Sequence, residues 1–456
     1  MSETRTSGWV LGLTAVAALL VGLDATVVST ALTSIKAALD ASGEQLEWMV
    51  NAYTLSFAVL MLTAAALGDR FGRRRVFAAG LAIFGAASVG CAVAPDAGWL
   101  IAARAVQGAG AAAVMPLALA LLGAAVPPAG RAKALGAFTA VVGASVPVGP
   151  LLGGAVVDGF SWRWIFWLNV PIVAVMIPAV ARLIPESHGA RTRVDLPGLV
   201  LGTGAAFALV FGLVKAAAVP LIAGGALAVA FVAVELRRAE PMLPMRLFRS
   251  RAFSAGNAAI FLLSASTLGS LFYMAQFLQL GLGSRPLVAG LQLVPWGAMT
   301  ILVPRVAGSL ISRYGERPFL VAGMALHGAS MLWIAAIAAP DLEYWWMIIP
   351  LVLSGTGVAA AIPATQSAVL GAVTPADMGK ASGAYSTLRQ LGGAFGVAAL
   401  VAAFSAGGGF ATPRQFTDGF TVAITASAIL AAASLLAGVF LPGRSVAKAM
   451  SSALRG

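Results

Sequence analysis

Charge is scarce in this chain. Of its 456 residues only 10% are charged, against 60% hydrophobic, and there is one cysteine and two histidines. A soluble domain averages about 25% charged and 45–50% apolar residues, so an ordinary water-soluble enzyme is excluded. Cys91 alone permits no intrachain disulfide and no thiol metal cluster, and no metal site is expected. HExxH, GxSxG and GxxxxGK are all missing, so zinc hydrolysis, a nucleophile elbow and a nucleotide-phosphate loop have no support. No cofactor is expected, and without a nucleotide site any work must draw on an ion gradient. Acids are the scarcer sign, 17 against 29 Lys plus Arg, for a net charge of +12. The excess cations stand in short gaps between apolar runs, where they report membrane orientation rather than a nucleic-acid-binding face. The opening MSETRTSGW has neither the basic segment nor the cleavage site of a signal peptide, so the first apolar run is expected to be retained.

What the chain does have is a succession of apolar runs of about 20 residues, the length that crosses a bilayer as a helix. Fourteen spans are predicted: 9–32, 47–68, 75–94, 99–122, 131–157, 162–184, 196–215, 219–236, 252–279, 286–311, 318–339, 344–371, 379–405 and 416–441. The strands of an outer-membrane barrel alternate apolar and polar residues in segments of about 10, a pattern not found here. An even number of spans puts both termini on one side. That side carries 21 basic residues, the other only Lys36, Arg163, Lys215, Arg285 and Arg414. The positive-inside rule therefore makes the termini cytoplasmic. Trp48, Trp162, Trp164, Trp345 and Trp346 stand near span ends, as an interfacial belt requires. Abundant Ala and Gly, with Arg preferred over Lys, point to a bacterial source and hence to the inner (cytoplasmic) membrane, with the lipid bilayer as the main partner.

The chain also repeats itself. LGDRFGRRRVFAAGLAIFGAA at 67–87 aligns with LISRYGERPFLVAGMALHGAS at 310–330, and PAGRAKALGAF at 128–138 with PADMGKASGAY at 375–385. Gly108, Gly110 and Pro116 match Gly355, Gly357 and Pro363. The offset, near 245, maps span one onto span nine, so the repeat is parallel. The expected domains are a six-helix half at 9–184, inserted spans seven and eight with linkers at 185–251, a second six-helix half at 252–441, and a cytoplasmic tail at 442–456. The fold class is therefore an all-α membrane protein of fourteen transmembrane helices, two parallel six-helix halves plus two inserted central helices. Parallel halves about an axis along the membrane normal are the major facilitator arrangement.

Asp24 is the only carboxylate deep inside a predicted span. An ionised Asp near the bilayer centre costs at least ~2.5–3.5 kcal/mol, so it must pair, face a wet cavity, or carry a proton. Arg104 stands about 9 Å into span four and Asp24 about 12 Å from the outer end of span one, at 1.5 Å per residue. Their depths match, so Arg104 either pairs with Asp24 and exchanges it for Gln107 or substrate, or snorkels outward to the interface. Asp69, at the cytoplasmic end of span two in GDRFGRRR, is placed to pair with neighbouring arginines and gate the inner side. Span five holds Gly149, Pro150, Gly153 and Gly154 with Pro147 one turn earlier, a helix set to bend against a closely approaching neighbour. Arg389, about 15 Å into span thirteen, is read either as a cation lining the cavity, free to bind an anion or pair with Asp24, or as a ligand of carbonyls at a helix break. Tyr53, Asn51, Gln107, Gln276 and Tyr385 are candidate cavity residues. His327 reads as a hydrogen-bonded core histidine.

These segments resemble the fourteen-helix drug:proton antiporter family of the major facilitator superfamily, from about Leu23 to Gly396. The resemblance is carried by LDATVVSTAL, ALGDRFGRRR, RAVQGAGAAA, GASVPVGPLLGG, WRWIFWLNVP, AEPMLPMRLFRSRAF and GKASGAYSTLRQLGGAFG. It implies proton coupling at Asp24 and Arg104, a gating latch at Asp69, Arg70, Gly72 and Arg73, and an exporter's hinge at Gly149, Pro150, Gly153 and Gly154. Departures are Ser29 and Thr33 in span one, Ala65 before the latch, Ser145 in span five and Ser312 at the acidic position of the second latch copy. The implied function is export, in exchange for protons, of small lipophilic or amphipathic molecules such as drugs or natural products. The chain is expected to act as a monomer, by alternating access. The alternatives are export or flipping of lipid-like molecules, proton-coupled uptake, and a membrane sensor that does not transport.

Overall fold

The computed structural model describes residues 3–126, 128–189, 195–238, 241, 243–374 and 377–442. The expected tail beyond Pro442 lies outside the described residues. Among the described residues fourteen helices are long and apolar enough to cross a membrane: Ser7–Leu39, Gly43–Phe71, Arg73–Ala92, Ala97–Ala125, Ala134–Gly159, Trp164–Leu183, Leu196–Val214, Ala218–Arg237, Arg251–Gly281, Pro286–Tyr314, Glu316–Ile337, Trp345–Gly371, Met378–Gly407 and Pro413–Val439. Each corresponds to one predicted span. The largest difference is in span one, where Thr33, Ser34 and Lys36 end the apolar run without ending the helix. It stops at Asp40, φ 48°, and the Ala41 amide donates to the Lys36 carbonyl at 3.1 Å.

Two compact units are present, Met1–Leu199 with Arg285–Leu291, and Val200–Ser284 with Gln292–Gly456. Within each, helices meet where small residues remove side-chain bulk. In the first unit, a Cβ on Gly108 of span four would collide with the Tyr53 carbonyl of span two, and one on Gly80 of span three would lie 3.0 Å from the Gly110 carbonyl of span four. Around these contacts Phe57, Phe77, Phe84, Leu117 and Val173 build an apolar core. In the second unit Gly355 meets the Trp296 carbonyl, and a Cβ on Gly323 would stand 2.5 Å from the Gly357 carbonyl. These are the repeat-related positions making the same contacts. Gly149 against Thr26 and Gly396 against Gly269 form a third such pair, so the repeat in the sequence is a repeat of packing. Spans seven and eight pack on each other, through Gly212 against Leu221 and Gly224 against Leu209.

Candidate proton-coupling site and gate

Five helices of the first unit converge on Asp24. Span four supplies Arg104 and, three residues on and therefore on the same face, Gln107. The Arg104 guanidinium donates to one Asp24 oxygen in an ion pair and to Gln107 Oε1 at 2.6 Å, while its Nε donates to the Met49 carbonyl of span two at 3.2 Å. Gln107 Nε2 donates to the other Asp24 oxygen at 2.8 Å and to Ser88 Oγ of span three at 2.9 Å. Asn169 of span six adds a third donor to Asp24, at 3.0 Å. The guanidinium lies 4.1 Å from the centroid of the Tyr53 ring, a cation–π contact, and the Tyr53 hydroxyl donates to the Val21 carbonyl at 3.1 Å. Both charged side chains are buried, 1% and 2% exposed.

Depth offered Arg104 as a partner for Asp24 on the assumption that span one ends at residue 32, with Arg389 as the alternative; the Arg104 contact is the one made, although the helix runs on to Leu39. Tyr53 and Gln107, expected in a cavity, sit in this polar knot. Ser88 and Asn169 were not singled out from the sequence, because one hydroxyl and one amide in apolar helices carry no pattern of their own. The only signal was Asn169 as a polar residue in WLNVP.

The second unit holds an uncharged counterpart. His327 of span eleven is hydrogen-bonded through Nε2 to Ser266 of span nine at 2.9 Å and through Nδ1 to Ser354 of span twelve at 2.8 Å, and Ser266 donates to the Ser427 carbonyl of span fourteen at 2.8 Å. Ser354 is the repeat partner of Gln107, whereas Leu351 and Thr267 stand where the first unit has Arg104 and Asp24. The ion pair is thus a property of the first half only.

At the end of span two, Arg73 Nε donates to Asp69 Oδ1 at 2.7 Å. Gly72 between them has φ 109°, a conformation that favours glycine, and lets the chain reverse into span three. The segment after span six closes over this turn. Its Glu186 accepts from the Arg74 amide at 2.9 Å and its Ser187 carbonyl from the Arg73 amide at 2.9 Å, while the Gly189 amide donates to the Asp69 carbonyl at 3.2 Å. Glu186 also reaches Arg74 and Arg75 at 3.8 and 3.7 Å. Arg70 lies over the Phe71 ring, 5.2 Å from its centroid. The second copy keeps the turn, with Gly315 at φ 90°, but has Ser312 bonded to the Ser309 carbonyl in place of the acid. A different pair appears in this unit: Arg246 donates twice to Asp377, at 2.9 and 2.5 Å. This bidentate bond holds the Asp377 carboxyl below the usual carboxylate range and raises the Arg246 guanidinium.

Span five is two helices, Pro128–Gly143 and Ser145–Gly159, interrupted at Ala144. Pro147 has no amide to offer the Gly143 carbonyl four residues back, which places the interruption there. Below it, Thr26 of span one donates to the Ser145 carbonyl at 3.1 Å. A Cβ on Gly149 would fall on the Thr26 hydroxyl, and one on Gly153 would stand 2.6 Å from the Val27 carbonyl. A Cβ on Gly154 would meet the Pro286 backbone, in the stretch that clusters with this unit.

Of the remaining candidates, Gln276 is buried, its amide donating to the Phe272 carbonyl at 3.1 Å of its own helix. The Tyr385 hydroxyl is shared with Thr365 at 3.1 Å and donates to the Ile362 carbonyl at 3.3 Å, tying span thirteen to span twelve. Arg389 is exposed, and its helix is continuous from Met378 to Gly407, so there is no helix break for it to serve.

The Major Facilitator Superfamily model matches residues 14–397. A lincomycin resistance protein of Streptomyces lincolnensis is 36% identical over 97% of this chain and 93% of its own length. A cephamycin export protein of Amycolatopsis lactamdurans is 37% identical over 89% and 87%. Among solved structures, a D-xylose–proton symporter (TM-score 0.68, 16% identity, covering 96% of this chain and 97% of that one) and a POT family transporter (TM-score 0.72, 15% identity, covering 96% of each) share the fold. With its fourteen spans and these relatives, the chain is a multi-pass membrane transporter, not an enzyme, and it belongs to the major facilitator superfamily.

Proposed function

We propose that this protein exports small lipophilic or amphipathic molecules across the bacterial cytoplasmic membrane in exchange for protons, by alternating access, with both termini in the cytoplasm. The observation that carries the reading is the Asp24–Arg104 pair, buried inside the spans in a polar knot that joins five helices. A buried ion pair is held against the desolvation of both charges, so its retention in an apolar bundle favours a role in charge movement over one in stability. A proton arriving at Asp24 removes one charge of the pair. Arg104 then keeps only neutral partners, the Met49 carbonyl, Gln107 and the Tyr53 ring, and the helices joined by the knot lose the contact that held them together.

Transmission falls to span five, which packs glycine-first on span one through Gly149 and Gly153 and is interrupted at Ala144. The Asp69 and Glu186 contacts at the cytoplasmic end supply bonds that form and break once per cycle. Export is supported by the Gly-Pro pattern of span five and by relatives named for resistance and export. The test is accumulation of fluorescent lipophilic dyes in inside-out proteoliposomes energised by an imposed pH gradient. Wild type accumulates dye and dissipates the gradient. Dye movement with no proton flux removes the coupling, and uptake in the reverse sense removes export.

A further inference from the structure

One turn of span two carries hydrogen-bonding capacity that none of the described residues uses. Glu47 is 5% exposed and, among the described residues, its Oε2 has no hydrogen-bond partner; Asn51 is fully buried and neither its Nδ2 nor its Oδ1 has one there. The two are four residues apart and share a helix face. Met49, whose carbonyl binds Arg104, lies midway between them in sequence, so Glu47 and Asn51 stand at the depth of the ion pair. At about 100° per residue they point to the opposite side of the helix, away from the Tyr53 and Ser56 side on which span four packs. Among the described residues no cation lies within ion-pair distance of Glu47, and Glu44, less than one turn before it, is also acidic. An unpaired buried carboxylate and an unsatisfied buried amide each carry a desolvation cost. A proton on Glu47 relieves only the first. A ligand that brings an N–H cation and an oxygen acceptor relieves both.

We propose that Glu47 and Asn51 form a recognition point for the protonated amine of an amphipathic cargo. The ammonium donates to Glu47 Oε2 and Asn51 Oδ1, and Asn51 Nδ2 donates to a neighbouring oxygen of the cargo. The Asp24 carboxylate is unavailable for this, since Arg104, Gln107 and Asn169 occupy it. The inference rests on the export reading for the identity of the ligand as cargo, but its test needs no gradient.

The measurement is equilibrium binding of monodansylcadaverine, an apolar fluorophore with a protonated primary amine, and of its neutral N-acetyl derivative, to the purified full-length protein in nanodiscs at neutral pH. Wild type is expected to prefer the amine by at least about tenfold, a typical scale for a desolvated charge contact. Glu47→Gln abolishes the preference while retaining a cooperative melt, Glu47→Asp keeps part of it, and Asn51→Ala weakens amine binding several-fold. No preference in wild type, or a preference that survives Glu47→Gln, overturns the proposal; should Glu47→Gln fail to fold, full-strength amine binding by Asn51→Ala does so. Loss of gradient-driven export in a wild type that still prefers the amine counts against the export reading and leaves this site standing.

Discussion

Arg104 and Asp24 meet out of reach of solvent, 1% and 2% exposed, with the guanidinium stacked 4.1 Å from the Tyr53 ring and the carboxylate further bound by Gln107 and Asn169. Removing either partner leaves the other charge buried and uncompensated, at a cost of about 3–5 kcal/mol, whereas removing both costs much less. Arg104→Gln and Asp24→Asn should each lower the melting temperature, and the double variant should recover a large part of the loss. Strict additivity in that double-mutant cycle would mean that the contact carries no coupling energy.

The latch should affect rate rather than affinity. Asp69→Asn removes the 2.7 Å contact with Arg73 without touching the polar knot. Turnover should fall several-fold while dye binding at equilibrium stays within about twofold, since one partly exposed ion pair contributes only about 1 kcal/mol or less. Glu186→Gln should behave alike, because Glu186 holds the other side of the same turn. Unchanged turnover in both variants would reduce the cluster to ordinary surface charge.

Close packing between spans one and five makes a steric prediction. A side chain at Gly149 or Gly153 lands on Thr26 or the Val27 carbonyl. Gly149→Val should destabilise by at least the ~1–3 kcal/mol typical of overpacking and stop transport, and Gly149→Ala should do so more mildly. Gly143, beside the interruption, has no neighbour within 4 Å of a built Cβ, so Gly143→Ala should be tolerated. Equal damage from Gly143→Ala and Gly149→Ala, read by thermal melting, would contradict the assignment of the contact.

Acid should weaken the second unit at Asp377. Its carboxyl is held below the ordinary range by the hydrogen bonds from Arg246. A depressed folded-state value means that the bond stabilises the fold above the unfolded carboxyl's value and loses that effect as pH falls through the folded one. The melting temperature of wild type should therefore exceed that of Asp377→Asn at neutral pH, and the gap should close in strong acid. A gap independent of pH would assign the difference to packing.

The span ranges and the repeat were legible because each follows from composition, periodicity or spacing, whereas matching depth offered Arg104 as a partner of Asp24 but left Arg389 open as another. The continuation of span one to Leu39 was not, since Thr33, Ser34 and Lys36 end apolarity without ending helix. The span-five interruption was foreseeable as a bend but not at Ala144, because which carbonyl goes unpaired depends on Pro147 rather than on the Pro150 that draws the eye. Ser88 and Asn169 became visible only when five helices were brought together. Gln276 and Tyr385 look like cavity residues in one dimension, whereas in three they bond the Phe272 and Ile362 carbonyls.

The most direct test of the account is Asp24→Asn in proteoliposomes, where shape is kept and titration is lost. Export driven by a pH gradient, measured together with proton flux, should be abolished, while the protein stays folded and gradient-independent exchange of labelled substrate across the membrane continues. Full retention of pH-driven export by Asp24→Asn would contradict the central claim that this carboxylate carries the proton.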